Sequence, residues 1–336
     1  MKAIQFTRIG SPDVLELVDI ERPTPGPGEV LIKIASSAVN FGDINVRRGD
    51  IPAPHLPAIP GLEYSGTVES LGNNVSDIQI GQRVVIQAYL HVFELEHVGG
   101  GYAEYALTTA DTVVPIPDDI DFDTAAALFC NYLAAYFMLY SQARAQAGET
   151  LLLYGAAGGI GTAMIQLAKL ADIKVIGLVS SQQRMAYVLD QGADAAINYC
   201  SEDVAQRVLE ITEDKGVNFI FNSAGGNTLS RDYDLLAPLG QILWFGFAAG
   251  APEADFTALI TDFNNFAKGK GIRTSALPAY DSKHGAWQQA TKTLFEYLRE
   301  GKIRPHIHEI IPLADAARAH ELMESSNVMG KLLLKP

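Results

Sequence analysis

Only two cysteines, Cys130 and Cys200, occur in 336 residues. Two thiols cannot form a disulfide framework, nor a zinc lobe held by four cysteines. Basic residues are also scarce. Lys and Arg number 25 against 39 Asp and Glu, a formal net charge of −14. That excess repels phosphate backbones and anionic lipid headgroups, so neither nucleic acid nor a membrane surface is an expected partner. Residues 1–8 (MKAIQFTR) lack an apolar signal core, and a cytoplasmic location is expected. Charge is absent altogether between Asp123 and Arg144. The run is long enough to cross a bilayer, but it holds Asn131, Tyr132, Tyr136, Tyr140, Ser141 and Gln142. A buried helix of a globular protein is the expectation there.

What is present is a chain about twice the size of a typical domain, 48% apolar and 19% charged, which predicts two globular domains. The first third reads as short strands between turns. Val30-Leu31-Ile32-Lys33-Ile34 follows Pro25-Gly26-Pro27-Gly28, and residues 66–72 and 83–86 are further strands. Pro52, Pro54, Pro57 and Pro60 stiffen a loop ending at Gly61. This pattern predicts a barrel-like β domain. Near residue 124 the rhythm changes to strand-then-helix. Leu151-Leu152-Leu153-Tyr154, residues 174–179, 218–221 and 241–245 are apolar strands separated by helical stretches. Buried strands alternating with helices predict parallel βαβ units. After about residue 267 the pattern is mixed again, with helices over 287–299 and 313–324 and a final strand over 331–334.

The strongest local signal is Tyr154-Gly155-Ala156-Ala157-Gly158-Gly159-Ile160-Gly161. It lies between an apolar strand and a helix, the order a dinucleotide-binding turn requires. There a pyrophosphate approaches backbone N–H groups at a helix N-terminus, so Ala157, Gly158, Gly159 and Ile160 are candidate contacts. Sites for NAD place an Asp or Glu at the end of the following strand to bind the ribose 2′-OH. Here that end reads Val179-Ser180-Ser181-Gln182-Gln183-Arg184, without an acid. Hydroxyls of Ser180 and Ser181 with the Arg184 fork suit a 2′-phosphate, so NADPH is expected rather than NADH. The same pattern speaks against a methyltransferase.

Five segments together resemble the medium-chain dehydrogenase/reductase superfamily, in its zinc-independent quinone oxidoreductase branch with synaptic-vesicle-protein-like and alkenal-reductase-like relatives. They are Asn40-Phe41-Gly42-Asp43-Ile44-Asn45-Val46-Arg47-Arg48-Gly49, Pro60-Gly61-Leu62-Glu63-Tyr64-Ser65-Gly66, the glycine turn, Ile197-Asn198-Tyr199, and residues 312–320. The resemblance implies an α/β chain: a GroES-like β-rich domain from residues 1–123 and 267–336, and an inserted Rossmann domain from 124–266 with a doubly wound parallel sheet. It implies that Arg184 and Tyr199 contact the adenosine phosphate, that Asn40 lies near the nicotinamide, and that Asn222, Phe245 and Gly246 line the cofactor. It also implies a homodimer with paired Rossmann sheets, through the 241–245 region.

Zinc members of the superfamily hold their catalytic metal with three protein ligands. The matching positions here are Asn40, Leu62 and Cys130, and Leu62 has no donor atom, so no metal is expected. His306 with His308, and His91 with Glu94, Glu96 and His97, match no ligand spacing with a known mechanism. Without a metal the expected reaction is hydride delivery from NADPH to a quinone or to the β-carbon of an α,β-unsaturated carbonyl. The runner-up is an NADPH-binding protein with little turnover. Reduction also needs a proton and stabilisation of the developing oxyanion. Where relatives carry tyrosine, this chain has Asn45 and Ile51, and Ala134 replaces a hydroxyl residue. Candidate polar groups are therefore Asn40, Asp43, Asn45, Tyr64 and Tyr132, with an Asp43–Arg47 contact as the alternative role for Asp43.

Overall fold

The computed structural model describes residues 1–51, 55–87, 100–280 and 286–336. Pro52, Pro54 and the His91–His97 segment lie outside the described residues. In chain order the first part contributes β1 (Lys2–Gln5), β2 (Glu16–Asp19), β3 (Glu29–Ala38), α1 (Phe41–Arg48), β4 (Glu63–Leu71), β5 (Arg83–Gln87), β6 (Tyr105–Thr109) and β7 (Val113–Pro115). The middle part contains α2 (Phe122–Tyr136), β8 (Thr150–Leu153), α3 (Gly159–Leu170), β9 (Lys174–Val179), α4 (Gln182–Asp190), β10 (Ala195–Asn198) and α5 (Val204–Thr212). It continues with β11 (Val217–Asn222), α6 (Thr228–Leu235), β12 (Leu236–Trp244), α7 (Phe256–Thr261), α8 (Phe263–Ala267), β13 (Gly271–Thr274) and α9 (Ala286–Arg299). Last come β14 (Ile307–Pro312), α10 (Ala316–Glu324) and β15 (Lys331–Lys335).

These elements form two compact units, Met1–Cys130 with Pro305–Pro336, and Asn131–Arg304. In the first, the sheet runs β14-β15-β3-β4-β5-β7, with β6 paired to β3. Alternate residues of β3, Val30, Ile32 and Ile34, meet Tyr64, Val68, Val84 and Ile86 in one buried cluster. That is the period-two pattern of a strand with one face on a core. β15 pairs antiparallel with β3, setting Leu333 opposite Ala38. The C-terminal strand thus completes a sheet begun near the N-terminus.

In the second unit all strands are parallel and ordered β10-β9-β8-β11-β12-β13. Numbered from β8, this is the 3-2-1-4-5-6 order of a doubly wound nucleotide-binding sheet. Leu151, Leu152 and Leu153 of β8 are wholly buried, as a central strand covered on both faces demands. The uncharged run forms helix over Phe122–Ala143, of which 78% of the most apolar window is buried inside the protein. Among the described residues it is the one helix long and apolar enough to cross a membrane.

Two expectations are corrected. The stretch 267–304 packs with the parallel-sheet unit, because β13 adds to β12 as its sixth strand. For the same reason residues 241–244 lie on an interior strand between β11 and β13, so a sheet-edge dimer contact cannot run through them.

Candidate functional site

β8 delivers the chain to Gly155, at φ +60, and Gly158 caps the N-terminus of α3. The Gly158 N–H donates to the Gly155 carbonyl at 2.9 Å, closing the turn. A Cβ on Gly161 would stand 2.4 Å from the Gly155 carbonyl oxygen and 2.5 Å from that of Ala156. One on Gly159 would stand 2.1 Å from Nδ2 of the buried Asn131. The missing side chains let α3 start directly against the strand end. Its first N–H groups have no intrahelical acceptor and carry the positive end of the helix dipole. Ala157 is buried beneath this turn, and Gly158, Gly159 and Ile160 are half-buried along it.

The next strand ends beside it. Ser181 caps α4, its Oγ accepting the Arg184 N–H at 3.3 Å. The Tyr199 N–H donates to the Val179 carbonyl at 3.0 Å, which brings the end of β10 to the end of β9. Ser180, Ser181 and Arg184 are half-buried there, and Tyr199 is exposed. The structure therefore gathers four predicted residues at the ends of two adjacent strands.

Asn222 is placed differently from the expectation. It ends β11, but its side chain is fully buried and committed to the protein. Nδ2 donates to Thr228 Oγ1 at 2.8 Å and to Asp232 Oδ2 at 2.7 Å, while Oδ1 accepts the N–H groups of Ala224 and Gly225. Asp232 also accepts from the Tyr154 hydroxyl at 2.6 Å, and burial raises its carboxyl pKa. Asn222 thus shapes the loop after β11 and offers no side-chain donor outward. Half-buried Phe245 and Gly246 follow β12. The Phe245 N–H binds the Asn222 carbonyl, and Gly246 packs on the Ser223 backbone, 2.8 Å from where its Cβ would be.

In the first unit Asn40 follows β3 and precedes α1. Its N–H donates to Asp43 Oδ2 at 2.9 Å, the return half of a capping box. Asp43 is buried, and its other oxygen accepts the Gly61 and Leu62 N–H groups at 2.9 and 3.1 Å. Burial pushes its carboxyl up to about 6, against the pull of these N–H groups and of the Lys331 charge. It serves as a three-way backbone anchor, so the contact expected with Arg47 is not made. Arg47 is wholly buried and pairs with Glu324 instead. The Asn40 side chain meets two residues that the sequence reading missed. Its Nδ2 donates to Glu63 Oε2 at 3.2 Å, and its Oδ1 accepts from Lys331 Nζ.

Known proteins match this arrangement along its whole length. Residues 26–118 match the family described as alcohol dehydrogenase GroES-like domain, and residues 159–296 the family described as zinc-binding dehydrogenase. A quinone oxidoreductase of Pseudomonas aeruginosa is 33% identical over 337 residues, spanning 100% of this chain and 99% of that protein. The chain belongs to the quinone oxidoreductase branch of the medium-chain dehydrogenase/reductase superfamily. The solved structure of the Escherichia coli quinone oxidoreductase complexed with NADPH has a TM-score of 0.92 at 32% identity, covering all of both chains. A 2-haloacrylate reductase superposes with a TM-score of 0.83 at 28% identity, over 100% of this chain and 99% of the other.

The residues of this quinone oxidoreductase relative do not fit the zinc of the second family description. Leu62 has no donor atom, and the Cys130 N–H donates to Glu63 Oε1 at 2.6 Å. Lys331 Nζ donates to both Asn40 and Glu63, where a metal would need lone pairs. Among the described residues, no three His, Cys, Asp or Glu side chains cluster to hold a metal ion.

Both candidate tyrosines are core residues. Tyr64 is 0% exposed in the β3–β4–β5 cluster, and burial raises its hydroxyl pKa. The Tyr132 hydroxyl donates to Gln166 Oε1 at 2.7 Å, which also accepts the Arg304 N–H. Desolvation raises the Tyr132 pKa too, so neither is poised to give up a proton near neutrality. Asn45 is half-buried on α1, and its carbonyl receives the Asp50 and Ile51 N–H groups.

Proposed function

We propose that the protein is an NADPH-dependent oxidoreductase that reduces a quinone or an α,β-unsaturated carbonyl without a metal. The observation that carries this is the glycine turn opening α3 beside the end of β9, where Ser180, Ser181 and Arg184 follow the strand and no acid does, with Tyr199 at the end of β10. The turn fits a pyrophosphate, and the second group fits a 2′-phosphate rather than a free ribose hydroxyl. When bound, NADPH supplies the hydride. The backbone N–H groups of α3 and the Arg184 guanidinium bind and orient it. Gly246 lets the chain after β12 pack directly on the Ser223 backbone. Asn40 is the polar residue at the nicotinamide end, and with Tyr132 bonded to Gln166 and Tyr64 packed inside its core cluster the proton comes from solvent.

The test is NADPH oxidation by purified protein over a panel of quinones, enals and enones, with and without a chelator. Turnover with at least one class, unaffected by the chelator, is expected. NADPH binding without turnover on any of them would move the assignment to a binding protein. Arg184→Ala is expected to weaken NADPH binding by about 10–100-fold, the value of a lost charge-assisted phosphate contact, with NADH binding unchanged. Equal losses for both nucleotides, measured by fluorescence titration, would remove Arg184 from the 2′-phosphate site.

The protein is proposed to act in the cytoplasm as a homodimer. The outer strands of its parallel sheet are β10 and β13. Beside β13 the side chains of Leu239, Phe263 and Phe266 are 77%, 78% and 74% exposed. Sedimentation should give a dimer, and Phe263→Glu with Phe266→Glu should shift it toward monomer.

A further inference from the structure

The buried group around Asn40 comprises an amide, a carboxylate and an ammonium. Asn40, Glu63 and Lys331 are 6%, 0% and 4% exposed. Glu63 Oε2 accepts from Lys331 Nζ at 2.8 Å and from Asn40 Nδ2 at 3.2 Å, and Oε1 accepts the Cys130 N–H at 2.6 Å. Lys331 Nζ donates in addition to Asn40 Oδ1. The pair therefore grips both ends of one amide: the cation takes its oxygen, the carboxylate its nitrogen. An amide gripped this way has one permitted orientation, because a flip would turn its NH2 group on the ammonium and its oxygen on the carboxylate.

A buried ion pair is weak evidence of a stabilising role, since apolar residues of like volume often serve as well. Here it stands at the one polar residue expected beside the nicotinamide. We infer that Lys331, held by Glu63, is a positioning residue that fixes the Asn40 amide in a single orientation for hydride transfer. This rests on the assignment of Asn40 above. The ammonium also draws electron density from the Asn40 carbonyl, and a hydrogen bond to a charged partner is about twice as strong as a neutral one.

The test is a double-mutant cycle on Asn40→Ala and Lys331→Met, with NADPH titration and steady-state kinetics of the best acceptor. Each single variant is expected to lower kcat by at least about tenfold with NADPH affinity within about threefold, and the double variant to be no slower than the worse single. Multiplying losses would overturn the inference. An unchanged Asn40→Ala would instead remove Asn40 from the site, a separate failure. Since Lys331→Met strands a buried carboxylate, the charge-free pair Glu63→Gln with Lys331→Met provides a second variant. It should show the same kcat loss, and wild-type kcat would overturn the inference. Nitrogen-15 NMR gives a readout free of turnover. The Asn40 side-chain amide, assigned by its absence in Asn40→Ala, should exchange at least about tenfold more slowly than the exposed asparagine amides. Free exchange in the wild type would overturn the grip itself.

Discussion

Gly161→Ala is expected to raise the NADPH dissociation constant by about two orders of magnitude, roughly 3 kcal/mol. The added Cβ would meet three backbone atoms, the carbonyl oxygens of Gly155 and Ala156 at 2.4 and 2.5 Å and the Ala156 carbonyl carbon at 2.6 Å. No rotamer relieves a clash with backbone, so the first turn of α3 must move off the end of β8. Overpacking of this kind costs about 1–3 kcal/mol in stability. The larger loss is in binding, because the moved atoms are the N–H donors that a pyrophosphate needs. Gly158→Ala is the control. Its φ of −79° suits any residue, and its Cβ would stand 3.3 Å from the Gly155 carbonyl oxygen. It should melt near the wild type, so any binding loss it shows comes from a Cβ standing at the pyrophosphate and not from a displaced α3. Fluorescence titration and thermal melts of the two variants decide it. A Gly161→Ala affinity within threefold of wild type would mean that the phosphates bind elsewhere.

The contrast between these glycines and the Asn40 group shows what the sequence made legible. Leu151-Leu152-Leu153 and the glycine turn are local. Burial on both faces dictates the apolar run, and the strand–turn–helix order is contained in adjacent residues. β13 was missed because Gly271-Ile272-Arg273-Thr274 has no apolar pattern. Its place is set by pairing with β12, a contact that local periodicity does not encode. Glu63 and Lys331 lie 268 positions apart and meet because β15 and β4 both pair with β3, with Leu333 and Glu63 each opposite Ala38. Asn40 follows that same strand end. Chemical type also misled where topology decides. Tyr64 looked like a proton donor, yet it lies opposite Ile86 in register, on the face that carries Val84 and Val68. Asn222 looked like a cofactor contact at a strand end, yet the loop after β11 takes up its amide.

Acid should destabilise the wild type far more than His320→Gln. His320, on α10, is wholly buried, with Nε2 3.1 Å from the Tyr102 hydroxyl and the two rings edge to face. Burial, with the charge of Arg47 adding to it, pulls its imidazole down to about 3. The unfolded chain takes up this proton near pH 6.5, so between pH 6.5 and 3 the unfolded state binds more protons and stability falls as pH drops. The full difference amounts to about 4–5 kcal/mol by pH 3. Asp43 acts oppositely. With its native pKa at about 6, the folded state binds the extra proton between pH 6 and 3.8, and stability gains as pH falls through that window. In the wild type the two effects largely cancel between pH 6 and 4, leaving a steep loss below. His320→Gln removes one of them. The variant should be about 1–2 kcal/mol less stable than wild type at pH 7, from the lost contact with Tyr102. At pH 4 it should be the more stable of the two, because the imidazole penalty there is about 3 kcal/mol. Urea denaturation of both proteins from pH 7 to pH 4 tests this through the crossing of the two curves. Parallel curves would show that His320 accepts its proton inside the fold, which would require Arg47 to move away from the ring.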